Sequence, residues 1–540
     1  MGTDISFSRN MNRTHGVYIL ALICLAFNTF GQTNNSGWTV EAAGKKAMTV
    51  IEAKVFMKRL ASFVVDNHLK TDPVSPQKGM IYEYFWVRKK GTVQQWIQGE
   101  GLDTMHDGSW FAVAMINASR STGDPFYRDI LLKWQLPFYL KILNHADELF
   151  TSERNDGRPG DDRGWRVSKE WLLQGREKGF VPYWWDDGAS VSLEMLNRKD
   201  KDEHVNFAGR NEWGNRPNPE KRLSGYSHGS SSHMAQDLAA MLEQAWLLVR
   251  ESDAKLTSEI TEATANLQES RTRHGAPAIP MVKAAHAIAR SDSSMLTALP
   301  AISWNTVAAG RSDYRRALFA YKPGEKINIP GFADDQQYRY YVSVAREGTL
   351  TEPAAFWLVY DAFTLPMLYR MYCDDDPAPP GINVFDLHPY SFINGKPVDY
   401  RSQRKGPNGK PRPIGSRFGP QNMVVCGWGL QALKMYPDLW IKAQQQITAN
   451  NFFPTISGAE VKAALEKELG QGLLTWEAIF NQYGYIPTGI GAGSVLPGVN
   501  WDEFSDTGGY AHLISACAQW ILYLEDKRDW ELHRIASATK

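Results

Sequence analysis

The sequence is poor in the features that most directly reveal a chemistry. Only four cysteines occur in 540 residues. No two of them form a CxxC pair, which argues against a zinc-ribbon site. No GxSxG elbow, HExxH pair or correctly spaced Gly-rich phosphate loop is present, so the familiar signatures of serine hydrolases, zinc proteases and nucleotide enzymes are missing. Net charge is also lacking, since 59 Lys plus Arg balance 59 Asp plus Glu. That balance argues against a globally basic nucleic-acid binder, and any anion site must come from local clustering. Beyond Phe27 no uninterrupted apolar run approaches the length of a membrane span. No fixed-period repeat is visible, which disfavours a solenoid. Strand alternation is scarce, with Met80–Val87 and Tyr338–Val344 the best short candidates.

What is present is apolar and aromatic. Hydrophobic residues make up 43% and charged residues 22% of the chain, a mix that excludes disorder. A core of this size needs no disulfide staples. Nineteen tryptophans are an unusual supply of flat apolar faces, suited either to core packing or to stacking on sugar rings.

The N-terminus reads as an export signal. Arg9 and Arg13 precede the apolar stretch Val17–Phe27, and Thr29-Phe30-Gly31 offers small residues for cleavage before Gln32. Met11 would serve equally well as the start. Ile23 before Cys24 disfavours a lipid anchor. Residues 1–31 are therefore expected to be a signal peptide, residues 32–540 a single domain, and the protein secreted or periplasmic. Of the remaining cysteines, Cys517 falls on an apolar helical stripe and is expected in the core. A Cys373–Cys426 bridge has no specific support.

Helical periodicity dominates. Apolar residues recur at helical spacing in 233–249 and 510–524 as one-faced stripes, and similar stretches occupy about 40–68, 108–121, 125–147, 188–197, 254–270, 280–290, 354–372, 421–435, 439–448 and 458–469. About a dozen helices must pack in layers. Four of them are entered through polar, glycine-bearing loops: Met105–Gly108, Trp184–Gly188, Tyr226–Ser230 and Phe504–Gly509. Asp, Ser and Thr there suit capping, but the loops also carry His, Trp and Tyr, which capping does not require. Convergence of these helix starts on one cleft predicts a mainly α fold, an α/α toroid of helical hairpins. Residues 296–350 and 374–420, rich in Pro and Gly, are expected to be rim excursions with short strands.

The densest constellation is Arg210-Asn211-Glu212-Trp213-Gly214-Asn215-Arg216 followed by Tyr226-Ser227-His228-Gly229-Ser230-Ser231-Ser232-His233. An imidazole at a helix N-terminus is held neutral by the dipole and can accept a proton. Tyr226 can protonate a departing alkoxide. Asn211, Arg210 and Arg216 can hold a carboxylate. Solvated loop histidines beside capping serines are the plain alternative. Asp107 and Asp187 offer a second chemistry, the acid and base of glycoside hydrolysis, although N-cap duty also explains them. His106, Trp110, Trp184 and Trp185 lie at the same helix entries and suit sugar binding. Residues 395–417 carry seven Lys and Arg against Asp399, a net of +6, with Arg401 and Arg404 placed to grip a polyanion. The Asp-rich stretches 155–162 and 374–376 match no complete calcium loop, so no metal and no cofactor are expected.

The Tyr226–His233 segment entering a helix, the Asn- and Trp-bearing loop before it and the helical frame behind an export signal resemble the α/α-toroid polysaccharide lyases. The resemblance is strongest to the ulvan lyases of polysaccharide lyase family forty, with the alginate and glucuronan lyases of family thirty-eight as neighbours. It implies β-elimination on a uronic acid polymer. Asn211 or Arg210 would neutralise the carboxylate, His228 or His233 would remove the C5 proton, and Tyr226 would protonate the leaving oxygen, with Tyr314 as a rival. Ulvan is sulfated, which would give the basic 395–417 arm a partner.

Overall fold

In the computed structural model, two units are distinguished, Met1–Thr39 and Val40–Lys540. The structure describes residues 46–71, 78–82, 84–90, 93–98, 105–146, 177–181, 232–276, 278–291, 303–308, 351–370, 380–381, 392–393, 396–397, 414–415, 418–447, 453, 456–487, 489–490, 494–496, 499–500 and 504–527. All belong to the larger unit. The predicted signal peptide, the 188–197 helix, the 338–344 strand, Cys373 and both Asp-rich stretches lie outside the described residues.

Twelve α-helices are delimited among the described residues: α1 (Val50–Asn67), α2 (Asp107–Thr122), α3 (Pro125–Ile130), α4 (Leu136–Asn144), α5 (Ser232–Val249), α6 (Ala254–Arg273), α7 (Pro280–Ala289), α8 (Glu352–Arg370), α9 (Phe418–Met435), α10 (Leu439–Gln446), α11 (Gly458–Tyr483) and α12 (Thr507–Leu524). A π-helical turn, Leu131–Gln135, joins α3 to α4. The first described helix starts at Val50, after the non-helical residues 46–49, where the periodicity suggests a helix from about 40. Thr49 caps it, accepting from the Glu52 amide while the Glu52 carboxylate accepts from the Thr49 amide.

The helices form two layers. The described side chains of α2, α5, α8, α9 and α12 are buried almost all the way round, whereas α1, α6, α10 and α11 bury one face and wet the other. Along the inner layer the packing order is α7, α5, α2, α12, α9, α8. Except for α7 and α8, which stand at the two ends of this order, consecutive inner helices are spatial neighbours, and the last, α12, packs against the first, α2. α1 runs antiparallel to α12. Trp520 near the end of α12 donates to the Met48 carbonyl just before α1 (2.7 Å), while Tyr510 near its start stacks on Phe63 near the end of α1 (5.1 Å). The one-faced stripes expected for 233–249 and 510–524 are therefore corrected. Their polar residues, Asp237, Glu243, Gln244, His512 and Gln519, are buried as well, because helices pack on every side of α5 and α12.

Among the described residues, strands are few and mostly short. β1 (Tyr84–Lys90) pairs antiparallel with β2 (Val93–Gln98) and with β9 (Phe504–Asp506), Tyr84 opposite Asp506 and Trp86 opposite Phe504. The strand expected over 80–87 lies four residues further on. Within the 374–420 excursion, β3 (Phe392–Ile393) pairs with β4 (Lys396–Pro397). β5 (Ile414–Gly415) pairs with β6 (Gly489–Ile490), and β7 (Ser494–Leu496) with β8 (Val499–Asn500).

Candidate active site

The start of α12 is fixed by a buried polar chain. The Ile486 amide donates to the Tyr510 hydroxyl (2.8 Å), which contacts Ser505 Oγ (3.2 Å), which contacts His68 Nε2 (2.8 Å). The other imidazole nitrogen, Nδ1, meets the Tyr82 carbonyl at 2.9 Å and Thr507 Oγ1 at 2.7 Å. One assignment satisfies every group: Nδ1–H donates to Tyr82, and Nε2 accepts from Ser505. Burial holds this imidazole neutral, lowering its pKa from 6.5 to about 4, and raises the Tyr510 phenol well above its ordinary range. Asp506 caps α12, accepting from the Gly508 amide at 2.9 Å.

Residues from the N-terminal turns of three helices then meet. His106 is the N-cap residue of α2, Asp237 lies in the second turn of α5, and His512 lies in the second turn of α12. His106 Nδ1 donates to Asp237 Oδ2. The Trp110 ring sits between the two imidazoles, its centroid 3.8 Å from that of His106 and 4.3 Å from that of His512. Asp237 is fully buried, His106 is 9% exposed and Trp110 5%. Trp110 Nε1 has no hydrogen-bond partner among the described residues. Behind the cluster, Gln135 donates to the Gly108 carbonyl (3.0 Å), and a Cβ at Gly108 would overlap the Tyr139 hydroxyl. Glycine at the second residue of α2 is thus what lets α4 close against it.

A buried carboxylate bonded to one imidazole nitrogen fixes the tautomer, an arrangement that general bases use. Among the described residues, no three His, Cys, Asp or Glu side chains gather as metal ligands would, and no helix is long and apolar enough to cross a membrane.

The structure brings two sequence-predicted site residues together, His106 and Trp110. The N-cap role expected of Asp107 is corrected, because the N-cap position is one residue earlier, at His106, whose side chain makes no capping hydrogen bond. Asp107 is the first helical residue, fully buried, where its charge favours the helix N-terminus. His233 is the second residue of α5, one turn before Asp237. Tyr226, His228, Asn211, Arg210, Arg216, Trp184, Trp185, Asp187, Tyr314, Arg401 and Arg404 lie outside the described residues. Sequence reasoning missed Asp237 and His512. Asp237 interrupts the apolar pattern of 233–249, and His512 that of 510–524. A polar residue inside an apolar helix was the available signal.

A cavity of about 800 Å³ lies elsewhere, between α1, the end of α2, α3 and α11, lined by Lys54, Lys58, Arg59, Phe63, Tyr127 and Phe480 among others. It shares no residue with the cluster. No family model, no curated protein and no solved structure matches the chain.

Proposed function

We propose that this protein is an exported polysaccharide lyase that cleaves a uronic acid polymer by β-elimination, inside an α/α toroid. The observation that carries the reading is the meeting of three helix starts around two imidazoles, a tryptophan and a buried carboxylate. Positive dipole ends favour the carboxylate of a uronate. Neutralising that carboxylate acidifies the C5 proton, an imidazole removes it, and aromatic faces hold the rings. Asn211 or Arg210 is the proposed neutraliser, His228 and His233 are the sequence-derived candidates for the base, and Tyr226 or Tyr314 is the proposed acid. The inner-layer order, with α12 packed on α2, supports ring closure. The +6 arm at 395–417, with Arg401 and Arg404, favours a sulfated polymer such as ulvan.

Hydrolysis through Asp107 and Asp187 has weaker support, because the carboxylate of Asp107 is fully enclosed. A non-catalytic glycan binder would need the aromatic rings but not an oriented imidazole. Incubation with ulvan, glucuronan and alginate, followed in the ultraviolet, separates the three. A lyase produces rising absorbance from unsaturated uronate ends. Reducing ends without absorbance would indicate a hydrolase, and neither would indicate a binder.

A further inference from the structure

We propose that the cavity between α1, the end of α2, α3 and α11 is a carbohydrate site separate from the helix-start cluster, and that it binds neutral rings of a short oligosaccharide. This goes beyond the lyase reading and does not depend on it. At about 800 Å³ the cavity has the size that encloses small ligands. The sequence of α1 builds its long wall. Residues four apart are neighbours on a helix surface. Here they form two rows lining the cavity: Lys54, Lys58, Ser62 and Asp66, and beside them Val55, Arg59 and Phe63. The first row runs about 18 Å along the helix, which suits a chain of rings better than a single one. The apolar side is aromatic. Phe63 and Phe480 meet edge to face at 5.9 Å, and stacking on Tyr510 braces Phe63. Such surfaces take the C–H faces of sugars.

The polar side carries groups with nothing to bond. Tyr127 lines the cavity and is 1% exposed, yet among the described residues its hydroxyl has no hydrogen-bond partner and is not fully enclosed. An unpaired buried hydroxyl is costly, so a group within the cavity has to complete it. The Ser62 hydroxyl and the Asp66 carboxylate are likewise without partners among the described residues. Charge then decides the class of ligand. Each cation already has a carboxylate: Lys54 bonds Glu525 (2.8 Å), Lys58 bonds Asp124 (2.8 Å) and Arg59 bonds Glu477 (3.4 Å). A phosphate or sulfate would have to compete with those carboxylates. Sugar hydroxyls instead accept from the remaining Lys and Arg N–H groups and donate to Asp66. Lys58 lies over the Phe126 ring (4.8 Å) and Arg59 over the Phe480 ring (5.0 Å), so these donors are held in place before a ligand arrives.

The test is isothermal titration of the full-length protein with neutral tetrasaccharides of glucan, mannan, xylan and galactan. These carry no carboxylate at C5, so the result is independent of elimination. At least one is expected to bind, with an affinity that changes no more than about twofold between about 50 mM and about 500 mM salt, because no net charge is recognised. Tyr127→Phe removes only the hydroxyl, and Asp66→Ala alters an exposed position. Each should weaken that binding about 3–10-fold, with a melting temperature no lower than that of the wild type. Binding of none of the neutral tetrasaccharides would overturn the inference, as would an affinity lost at high salt or one equal in both variants and the wild type. A lowered melting temperature in Tyr127→Phe would mean that the hydroxyl is already bonded within the protein, and would overturn the role given to it.

Discussion

Two buried histidines show how partners decide what an imidazole does. His68 bonds to neutral oxygens through both nitrogens, and burial outweighs the nearby Asp506 carboxylate, lowering its pKa from 6.5 to about 4. In the unfolded chain it takes up a proton below about pH 6.5; in the folded chain it resists until about pH 4. Between those values the unfolded state binds more protons, so stability falls as the solution is acidified. The contribution is complete above pH 6.5 and lost below pH 4, amounting to about 3 kcal/mol. Urea unfolding at pH 7 and pH 4.5 should therefore show a smaller acid-induced loss in His68→Gln than in wild type. Equal losses in both would contradict the assignment. His106, by contrast, has the carboxylate of Asp237 on its Nδ1, a charged partner in direct contact. Cys517 shows the same logic in a thiol. Burial raises its pKa, and the core position expected from its apolar stripe is where it lies.

At the scale of the element, what was legible depended on how much of a helix's environment its own residues encode. Apolar periodicity located α2, α5, α6, α7, α9 and α10 to within a few residues. It misplaced the start of α1, where the signal is the Thr49-x-x-Glu52 capping box rather than any apolar spacing. It ended α11 at 469, fourteen residues early, just before Gly470 and Gly472, which have low helix propensity. They are glycines for a tertiary reason: a Cβ at Gly470 would press 2.8 Å from the Trp520 ring, and one at Gly472 would press 2.8 Å from the Gly381 backbone. No local pattern encodes such approaches. Gly108 is the same case at the site. Gly108→Ala should cost about 1–3 kcal/mol through overpacking against Tyr139, read as a lower urea midpoint, and Tyr139→Phe should recover part of it. An unchanged midpoint would mean that α4 does not close on α2 as described.

For the whole molecule, the mainly helical class was legible because amphipathic stripes recur along most of the chain. The two-layer arrangement was less so, since an inner helix surrounded by other helices buries polar residues that a sequence reading assigns to water. The candidate site was legible in outline. The helix entries pointed to His106 and Trp110, while Asp237 and His512 join them only through the packing of α5 and α12 on α2. The lyase account depends on these starts sharing one cleft, where a uronate meets an oriented base without activated water. The most direct measurement is cleavage of the preferred polymer in heavy-oxygen water, with mass spectrometry of the smallest products. Elimination predicts new ends one water lighter than hydrolytic ends, with no heavy oxygen acquired in cleavage; products carrying one heavy oxygen per cut bond would contradict it.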